Sequence, residues 1–324
     1  MPRERWTRTT PVLTLDADEA AELLRPALGE VSIAGIEPLG GGHSNTNVRV
    51  RLDGAPRNVV LRLYQRDPVQ MHKEAAIARL VAGRVPAPAY LHCGTRATSG
   101  QSYAVVEWID GVPLQPLVRH AREDQLAVAA HDIGHALAAI HSFTFPQAGF
   151  LDGALNITPF PGGASNAGFL ETIFSGIAGE RLGLELAAEV IAFAKANEQH
   201  AAVWNDPPRL THFDFGSSNI LVRDDFSLAG VVDWEFAAAA SPVADFGNLL
   251  RPPLGHSGAF VVALEDSYRE AGGFLPEDWR TLTRLADMGA WAEFLSRPQI
   301  SDALIEDARQ TLRQTVRPTS GTSS

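Results

Sequence analysis

Two short apolar stretches separated by a polar turn predict a β-hairpin in the second half of the chain. Residues 219–222 read NILV, residues 223–230 read RDDFSLAG, and residues 231–234 read VVDW. A hairpin brings the end of its second strand back to the start of its first strand. We therefore expect Asp233 to lie beside Asn219, and any fold of this chain must accommodate that pair.

The segments around this hairpin change in type along the chain. Up to about residue 110 the pattern predicts the order helix, strand, strand, helix, strand, strand. From about residue 122, long amphipathic segments predict helices that only the hairpin interrupts. The sequence thus predicts an α+β fold with a small β-rich N-lobe over residues 1–107 and a larger, mainly helical C-lobe over residues 108–316. The polar residues 317–324 predict a disordered tail.

Composition excludes several classes of protein. Of the 324 residues, 45% are apolar and 20% are charged, as is typical of a globular protein in water. The net charge of -11 argues against a nucleic-acid partner, which normally requires a basic face. Cys93 is the single cysteine, so an internal disulfide is excluded and a reducing compartment is favoured. The start is polar and no apolar run approaches about 20 residues, so we expect a cytoplasmic protein without a membrane segment.

Lysine is rare in this chain, and this excludes a P-loop. Lys73 and Lys195 are the two lysines, and neither follows a glycine. The Gly-Lys-Ser/Thr motif that binds nucleotide phosphates is therefore absent. A nucleotide site in this protein would have to use other residues.

The tripeptide Asp-Phe-Gly occurs twice, at Asp214 and at Asp245, and in protein kinases its aspartate binds magnesium. A magnesium-binding Asp214 would need a catalytic aspartate about 20 residues earlier, but residues 153–205 contain none. A magnesium-binding Asp245 would make Asp224 or Asp225 catalytic, but neither has an asparagine five residues later. The spacing therefore excludes the magnesium role for both copies.

A different spacing satisfies the requirements of phosphoryl transfer. His212, Asp214 and Asn219 match the kinase loop, in which His-x-Asp is followed by four residues and asparagine. In that chemistry one carboxylate orients the acceptor hydroxyl and takes its proton, while an amide oxygen and a second carboxylate hold Mg²⁺. The pattern predicts Asp214 as the catalytic residue and Asn219 and Asp233 as the metal ligands.

The whole stretch HFDFGSSNILV…GVVDWEFAAAASPVADFGNLL resembles the aminoglycoside phosphotransferase family and the related choline, homoserine and methylthioribose kinases. The resemblance implies a two-lobed protein-kinase-like fold that transfers phosphate from ATP, with Mg²⁺, to a small-molecule hydroxyl. It also implies that Asp245 braces the catalytic loop. Phe213 departs from the family, which usually has glycine there, and this departure affects the acceptor side of the loop.

The nucleotide-binding residues are implied by the same resemblance. The stretch LGGGHSNTNVRV is similar to the family's glycine-rich phosphate loop, although three glycines alone are typical of a turn. The phosphate-binding residues implied by this match are Gly41, Gly42, Ser44 and Asn45.

Four further positions complete the implied nucleotide site. Arg62 stands on the strand VVLRLY where a kinase has its phosphate-gripping lysine, and Glu74 in the next helix is placed to pair with it. The alternative for Glu74 is a solvated helix carboxylate. The stretch VVEWIDG resembles the segment that links the lobes, where backbone groups from Glu107 to Ile109 would contact adenine.

Other residues allow alternative sites. His131 and His135 lie four apart on a helix, a spacing that can bind zinc, but the sequence shows no third ligand and a surface histidine pair is the simpler interpretation. The tryptophans at 204, 234, 279 and 291 could form a cage for a quaternary ammonium group or belong to the core.

The leading hypothesis is an ATP-dependent kinase of a small molecule. The alternatives are a choline-, homoserine- or sugar-type metabolite kinase of the same family, and a nucleotide-binding pseudokinase that acts as a scaffold. The acidic composition favours a cationic acceptor such as an aminoglycoside, but sugars and amino alcohols stay open. The sequence predicts neither a nucleic-acid nor a membrane partner, and it leaves the oligomeric state open.

Overall fold

The computed structural model describes residues 11–40, 45–65, 67, 69–160, 165–204 and 207–317, and for residues 200–204 only the backbone. Its N-terminal part contains an antiparallel sheet with the strand order β1-β2-β3-β5-β4. The strands are β1 (Ile33–Leu39), β2 (Thr46–Leu52), β3 (Asn58–Leu63), β4 (Tyr90–Thr95) and β5 (Ser102–Glu107). Helices α1 (Ala17–Leu28) and α2 (Val69–Val81) accompany it.

Helix α1 begins directly after Asp16, which caps it. The Asp16 carboxylate accepts a hydrogen bond of 2.8 Å from the Glu19 backbone N–H, which satisfies one of the free donors at the helix start. Leu24 of α1 is fully buried against alternate residues of β2, including Val48 and Val50. This alternation is the expected result of a strand with one face in the core.

Strand β1 is a feature that the sequence pattern does not reveal. It lies at the edge of the sheet, contains Gly35 and Pro38, and has no fully buried residue. Glycine and proline are depleted in strands, and proline is tolerated at an edge because the outward N–H needs no partner. The periodicity therefore lacks the alternation that identifies β2.

The C-terminal part is mainly helical, as predicted. Its helices are α3 (Leu114–Leu117), α4 (Glu123–Ile140), α5 (Asn166–Phe174), α6 (Ile177–Leu182), α7 (Leu184–Trp204), α8 (Val243–Leu249), α9 (Gly258–Glu270), α10 (Trp279–Ser296) and α11 (Asp302–Val316). Helices α4 and α9 approach closely at Gly134, where a Cβ atom would lie 2.9 Å from the backbone nitrogen of Tyr268. Glycine at this position permits the close contact of the two helices.

Small sheets are set among these helices. One has the order β11-β10-β6, and the other has the order β8-β7-β12-β9. Their strands are β6 (Val112–Pro113), β7 (Gly149–Leu151), β8 (Ile157–Thr158), β9 (Arg209–Thr211), β10 (Ile220–Val222), β11 (Leu228–Val231) and β12 (Ala238–Ala240). The β10–β11 hairpin is the predicted one, and the other strands were missed because two or three residues are too short to show an alternation.

The core connects the two parts of the chain. Ile77 and Val81 of α2 belong to the same buried cluster as Leu114 and the inner face of α4. Trp234, Trp279 and Trp291 are nearly fully buried, so they belong to the core and do not form a cage. The side chain at 204 and the predicted tail at 318–324 lie outside the described residues.

No helix in the described ranges combines the length and the apolar character that crossing a bilayer demands.

Candidate active site

The loop that carries Asp214 is held by a buried carboxylate. Strand β9 ends at Thr211, and Asp245 of α8 accepts hydrogen bonds from the backbone N–H groups of His212, at 2.9 Å, and Phe213, at 2.8 Å. Asn248, also on α8, donates its side-chain amide to the Phe213 carbonyl at 2.8 Å. These contacts fix the backbone directly before Asp214, which agrees with the predicted bracing role of Asp245.

A buried relay supports Asp245 from behind. Its carboxylate lies 3.1 Å from Nε2 of His141, and Nδ1 of His141 lies 2.9 Å from the Tyr268 hydroxyl. A carboxylate can only accept, so Nε2 of His141 donates to Asp245, and in the neutral ring Nδ1 then accepts from the Tyr268 hydroxyl. Burial raises the pKa of Tyr268, which keeps this hydroxyl protonated as a donor. Helices α4, α8 and α9 thus meet behind the loop.

Asn219 holds the Asp214 side chain from the other end of the loop. Its amide nitrogen donates to the Asp214 backbone carbonyl at 2.9 Å and to Oδ2 of Asp214 at 3.0 Å. The loop is closed by the Asn219 N–H, which donates to the Gly216 carbonyl at 2.9 Å. The loop that carries Asp214 is therefore held at both ends, by Asp245 at His212 and Phe213 and by the contacts of Asn219. Asp214 itself stays partly accessible to solvent.

The hairpin brings Asp233 to the same end of the structure. Ile220 pairs with Val231, and the Val232 N–H donates to the Asn219 carbonyl at 3.0 Å, so Asp233 follows directly after the last contact with Asn219. Asp233 has a positive φ of 68° and begins a short 3₁₀ turn over Trp234–Phe236. Aspartate tolerates this left-handed conformation better than most residues, and the bend directs the chain away from the sheet.

An acidic cluster surrounds Arg62 next to Asp233. Nη2 of Arg62 lies 2.8 Å from Glu74, 2.6 Å from Asp233 and 3.5 Å from Glu235. One carboxylate oxygen from each of the three acids lies within 4.8 Å of the others. The side chain of Glu74 is completely buried, so it is the paired and not the solvated carboxylate of the two sequence alternatives.

The electrostatics of this cluster favour a further cation. Burial, and then the neighbouring Asp233, raise the pKa of Glu235 to about 8. Burial also raises the pKa of Glu74, against the opposing effect of Arg62. Burial alone would lower the pKa of Arg62, but Glu74 and Asp233 outweigh it and raise that pKa. Within the described part of this cluster, three carboxylates therefore face one guanidinium.

The sequence of this chain matches the model of the phosphotransferase enzyme family over residues 35–285. This span contains the acidic cluster, the braced loop and the hairpin. The chain belongs to the phosphotransferase enzyme family. No curated protein matches it at a significant level.

Solved phosphotransferases share the fold. The GDP and kanamycin complex of APH(2")-IIia is 18% identical, with a TM-score of 0.70 over 91% of this chain and 97% of that chain. A thermostable mutant of aminoglycoside phosphotransferase APH(4)-Ia, in a ternary complex with AMP-PNP and hygromycin B, is 20% identical, with a TM-score of 0.65 over 93% of this chain and 99% of that chain. The two-lobed, protein-kinase-like fold predicted from the resemblance is confirmed.

The structure describes Asn45, but not the other residues of the predicted phosphate loop that were expected to bind the nucleotide. Gly41, Gly42 and Ser44 lie outside the described residues. Asn45 is buried, and its side-chain amide donates to Oε2 of Glu235 at 2.8 Å. The end of the predicted phosphate loop is thereby attached to the acidic cluster.

The predicted adenine-binding segment lies at the end of β5. The Glu107 N–H already donates to the Ala89 carbonyl at 2.8 Å, and the Glu107 carboxylate accepts from the Ala89 N–H at 3.1 Å. For the Ile109 N–H, the described chain provides no acceptor. The Trp108 N–H likewise has no acceptor among the described residues, so Trp108 and Ile109 are the backbone donors of this segment that a ligand could use. Glu107 could offer a ligand only its carbonyl.

Sequence reasoning missed three members of the cluster. Glu235 follows Asp233 by two residues, and the 3₁₀ turn directs it toward Arg62. The hydroxyls of Tyr64 and Tyr90 both contact Oε2 of Glu74, at 3.0 Å in the case of Tyr90. A signal existed for Tyr64, because residues two apart on a strand share a face and Tyr64 follows Arg62 by two positions.

Exposed aromatic rings adjoin the Asp214 loop. Phe213 is 37% exposed and Phe150 on β7 is 49% exposed. Phe160 lies between them, with ring centroids 6.0 Å from Phe213 and 4.7 Å from Phe150. Phe213 has a positive φ of 66°, a conformation that a bulky residue rarely adopts. Glycine, which the family usually has at this position, would adopt it without strain.

Proposed function

We propose that this phosphotransferase moves the γ-phosphate of ATP to a hydroxyl group of a small molecule. The observation that carries the proposal is the arrangement of Asp214, Asn219 and Asp233 at one end of a hairpin, on a loop braced by Asp245. Phosphoryl transfer depends mainly on positioning and on charge neutralisation. The braced Asp214 carboxylate supports the positioning of the acceptor. The adjacent cluster of three acids supports the binding of a metal that neutralises charge.

Asp214 is the proposed catalytic residue. Its carboxylate is held by Asn219 on one side and stays partly accessible on the other, where an acceptor hydroxyl could approach. In this role the carboxylate accepts the hydroxyl hydrogen bond, aligns the oxygen with the γ-phosphorus and takes its proton as the new bond forms. The rigid backbone at His212 and Phe213 limits the loss of alignment that a mobile loop would cause.

The donor set fits a Mg²⁺ ion. Magnesium prefers oxygen ligands, and the excess of carboxylates in the cluster provides both the ligand type and the charge. We propose that Asp233 and the Asn219 amide oxygen hold it, with Glu235 nearby. When bound, Mg²⁺ neutralises the charge that develops on the phosphates during transfer.

Arg62 is the proposed phosphate-binding cation. It is buried and fixed by Glu74, which the hydroxyls of Tyr64 and Tyr90 hold in turn. A guanidinium held in this way can donate to phosphate oxygens from a defined position. The residues 40–45 would cover the phosphates, and Ile109 would offer its N–H to adenine. Relatives of the same fold were solved with GDP and with AMP-PNP, which supports a purine nucleotide as the donor.

The aromatic rings support an acceptor that has a flat, apolar face. Phe213 directly precedes Asp214 and is 37% exposed, so we expect a molecule whose hydroxyl reaches Asp214 to contact its ring. A positive φ at a non-glycine residue costs about 1–3 kcal/mol, so the backbone at position 213 disfavours phenylalanine. The contribution of Phe213 must therefore come from its ring. Ligand pockets commonly use aromatic surfaces, which also attract cations. Aminoglycosides, sugars and aromatic alcohols remain in this class, and relatives bound kanamycin and hygromycin B.

The direct test is a screen for ADP release with Mg-ATP and a panel of aminoglycosides, sugars, amino alcohols and phenyl glycosides. We expect at least one acceptor that raises ADP release above the acceptor-free rate and that is recovered with one added phosphate by mass spectrometry. Nucleotide binding without turnover for every acceptor class would favour the pseudokinase alternative. Absence of nucleotide binding would contradict both.

A further inference from the structure

Helices α4 and α9 carry a cluster of possible metal ligands far along the chain from the active-site acids. His131 and His135 lie on α4, and Glu270 is the last residue of α9. One ring nitrogen of each histidine and one carboxylate oxygen of Glu270 lie within 4.8 Å of one another. The third ligand that the sequence did not reveal is thus supplied by the neighbouring helix.

The hydrogen bonds of the two histidines determine which ring nitrogens are available. Nδ1 of His131 lies 3.2 Å from Oδ1 of Asp132, and Nδ1 of His135 lies 3.1 Å from the His131 carbonyl. A carboxylate and a carbonyl can only accept, so both Nδ1 atoms carry the proton in the neutral rings. The Nε2 atoms therefore keep their lone pairs, and a free lone pair on a ring nitrogen is what a metal ligand needs.

The same contacts have the form of an outer ligand shell. Histidines that bind metals usually donate their second ring N–H to a carboxylate or a backbone carbonyl, which fixes the ring. Asp132 is itself held, because its Oδ2 accepts from the Leu228 N–H of β11 at 3.0 Å. The carboxylate that orients His131 is therefore anchored to a strand.

The charge around Glu270 also favours a cation. Glu270 stands at the C-terminal end of α9, where the helix dipole is negative. The adjacent Arg269 forms an ion pair with Glu265, at 3.0 Å. Among the described residues Glu270 has no ion-pair partner. A bound cation would satisfy this carboxylate.

We propose that His131, His135 and Glu270 form a binding site for a divalent transition metal of the Zn²⁺ class. Two imidazoles and one carboxylate are a zinc ligand set, whereas Mg²⁺ and Ca²⁺ prefer oxygen ligands. The metal joins α4 to α9 at the surface. His141 caps the end of α4 and Tyr268 lies in α9, and both belong to the brace behind the catalytic loop, so metal binding stabilises the support of the active site.

Calorimetry on the full-length protein, first treated with a chelator, tests the site. Excess Mg²⁺ is present throughout, so that it occupies the oxygen ligands of the Arg62 cluster. We expect one Zn²⁺ to bind and to raise the unfolding temperature, because it binds the folded state selectively. Co²⁺ should give visible absorption bands that report nitrogen ligands.

Three variants identify the ligands. His131→Ala/His135→Ala should abolish the Zn²⁺ heat and the Co²⁺ bands, and Glu270→Gln should weaken binding. Asp132→Asn should weaken it by about 10-fold through the ring of His131. His120→Ala removes another exposed histidine and should bind Zn²⁺ like the original protein. Unchanged Zn²⁺ affinity in the double variant, or no Zn²⁺ binding by the original protein, would overturn the proposal.

Discussion

The Arg62 guanidinium lies 2.6 Å from Oδ1 of Asp233, and this ion pair joins strand β3 of the N-lobe to the end of the C-lobe hairpin. The same nitrogen lies 2.8 Å from the fully buried Glu74. A single side chain thus connects the proposed phosphate grip to the proposed metal ligand. Its removal should affect both the stability of the protein and the proposed nucleotide site.

Arg62→Met should destabilise the protein by about 3–5 kcal/mol, because it leaves the Glu74 carboxylate buried without a counter-charge. Urea unfolding measures this change. Arg25→Met is the matched control, since Arg25 pairs with Glu30 at 2.9 Å but both side chains are mostly exposed. The control should change stability by at most about 1 kcal/mol. Equal effects of the two substitutions would show that the buried pair has no special role.

Asp245→Asn should lower kcat more than it raises the Kd for nucleotide, because Asp245 holds the catalytic loop in place. An amide nitrogen would face one of the backbone N–H donors of His212 and Phe213, and an unsatisfied buried donor costs about 1–3 kcal/mol. We expect a lower kcat with a nearly unchanged Kd for nucleotide. Asp225→Asn, at an exposed turn where Asp225 accepts from Ser227, is the control and should leave kcat unchanged. A kcat of the Asp245 variant equal to that of the control would argue against the brace.

Phe213→Gly should leave the fold intact and impair acceptor use. The substitution relieves a backbone strain of about 1–3 kcal/mol and removes a partly exposed ring, so stability should be unchanged or slightly higher. The KM for the acceptor should rise, while the acceptor-free ATPase rate should not change. Phe226→Gly is the contrast, because Phe226 has the same φ of 66° but is only 8% exposed, in the core. That variant should lose about 3–5 kcal/mol through the cavity that it leaves.

Glu235→Gln should raise the Mg²⁺ concentration that gives half-maximal activity. Glu235 contributes one of the three carboxylates of the cluster and is 3.5 Å from Arg62. The Gln side chain keeps the size and an acceptor for Asn45, but it cannot ionise when Mg²⁺ binds, whereas Glu235 with its raised pKa can. Titration of ADP release with MgCl₂ at fixed ATP measures the shift. An unchanged Mg²⁺ dependence would place Glu235 outside the metal site.

The sequence predicts the parts of this site that are local in the chain. One loop fixes the distance from Asp214 to Asn219, and one hairpin fixes the distance from Asn219 to Asp233. The loop spacing and the hairpin are both visible in the sequence, the hairpin through its turn residues and apolar stretches. The helix carrying His131 and His135 is predictable for the same reason, since four positions make about one helical turn.

The contacts that the sequence does not predict join distant segments. Glu235 meets Arg62 across 173 positions, and Asn45 meets Glu235 across 190. These pairs form only through tertiary packing, so no periodic pattern in the sequence predicts them. Glu270, the proposed third metal ligand, could not be predicted for the same reason. Short strands such as β7 and β12 were also missed, because they exist only through pairing with neighbouring strands.

Asp214 is the proposed catalytic residue and Asp233 a proposed metal ligand, although Asp214 begins an Asp-Phe-Gly tripeptide. Asp214→Asn keeps the size of the side chain and a hydrogen bond to Asn219 but removes the base. The decisive measurement is kcat with the best acceptor of the screen, together with the Kd for ATP in the presence of Mg²⁺. We expect kcat to fall by at least about 100-fold with Kd changed little. A variant that keeps near-normal kcat, or one that loses Mg-ATP binding instead, would contradict the assignment.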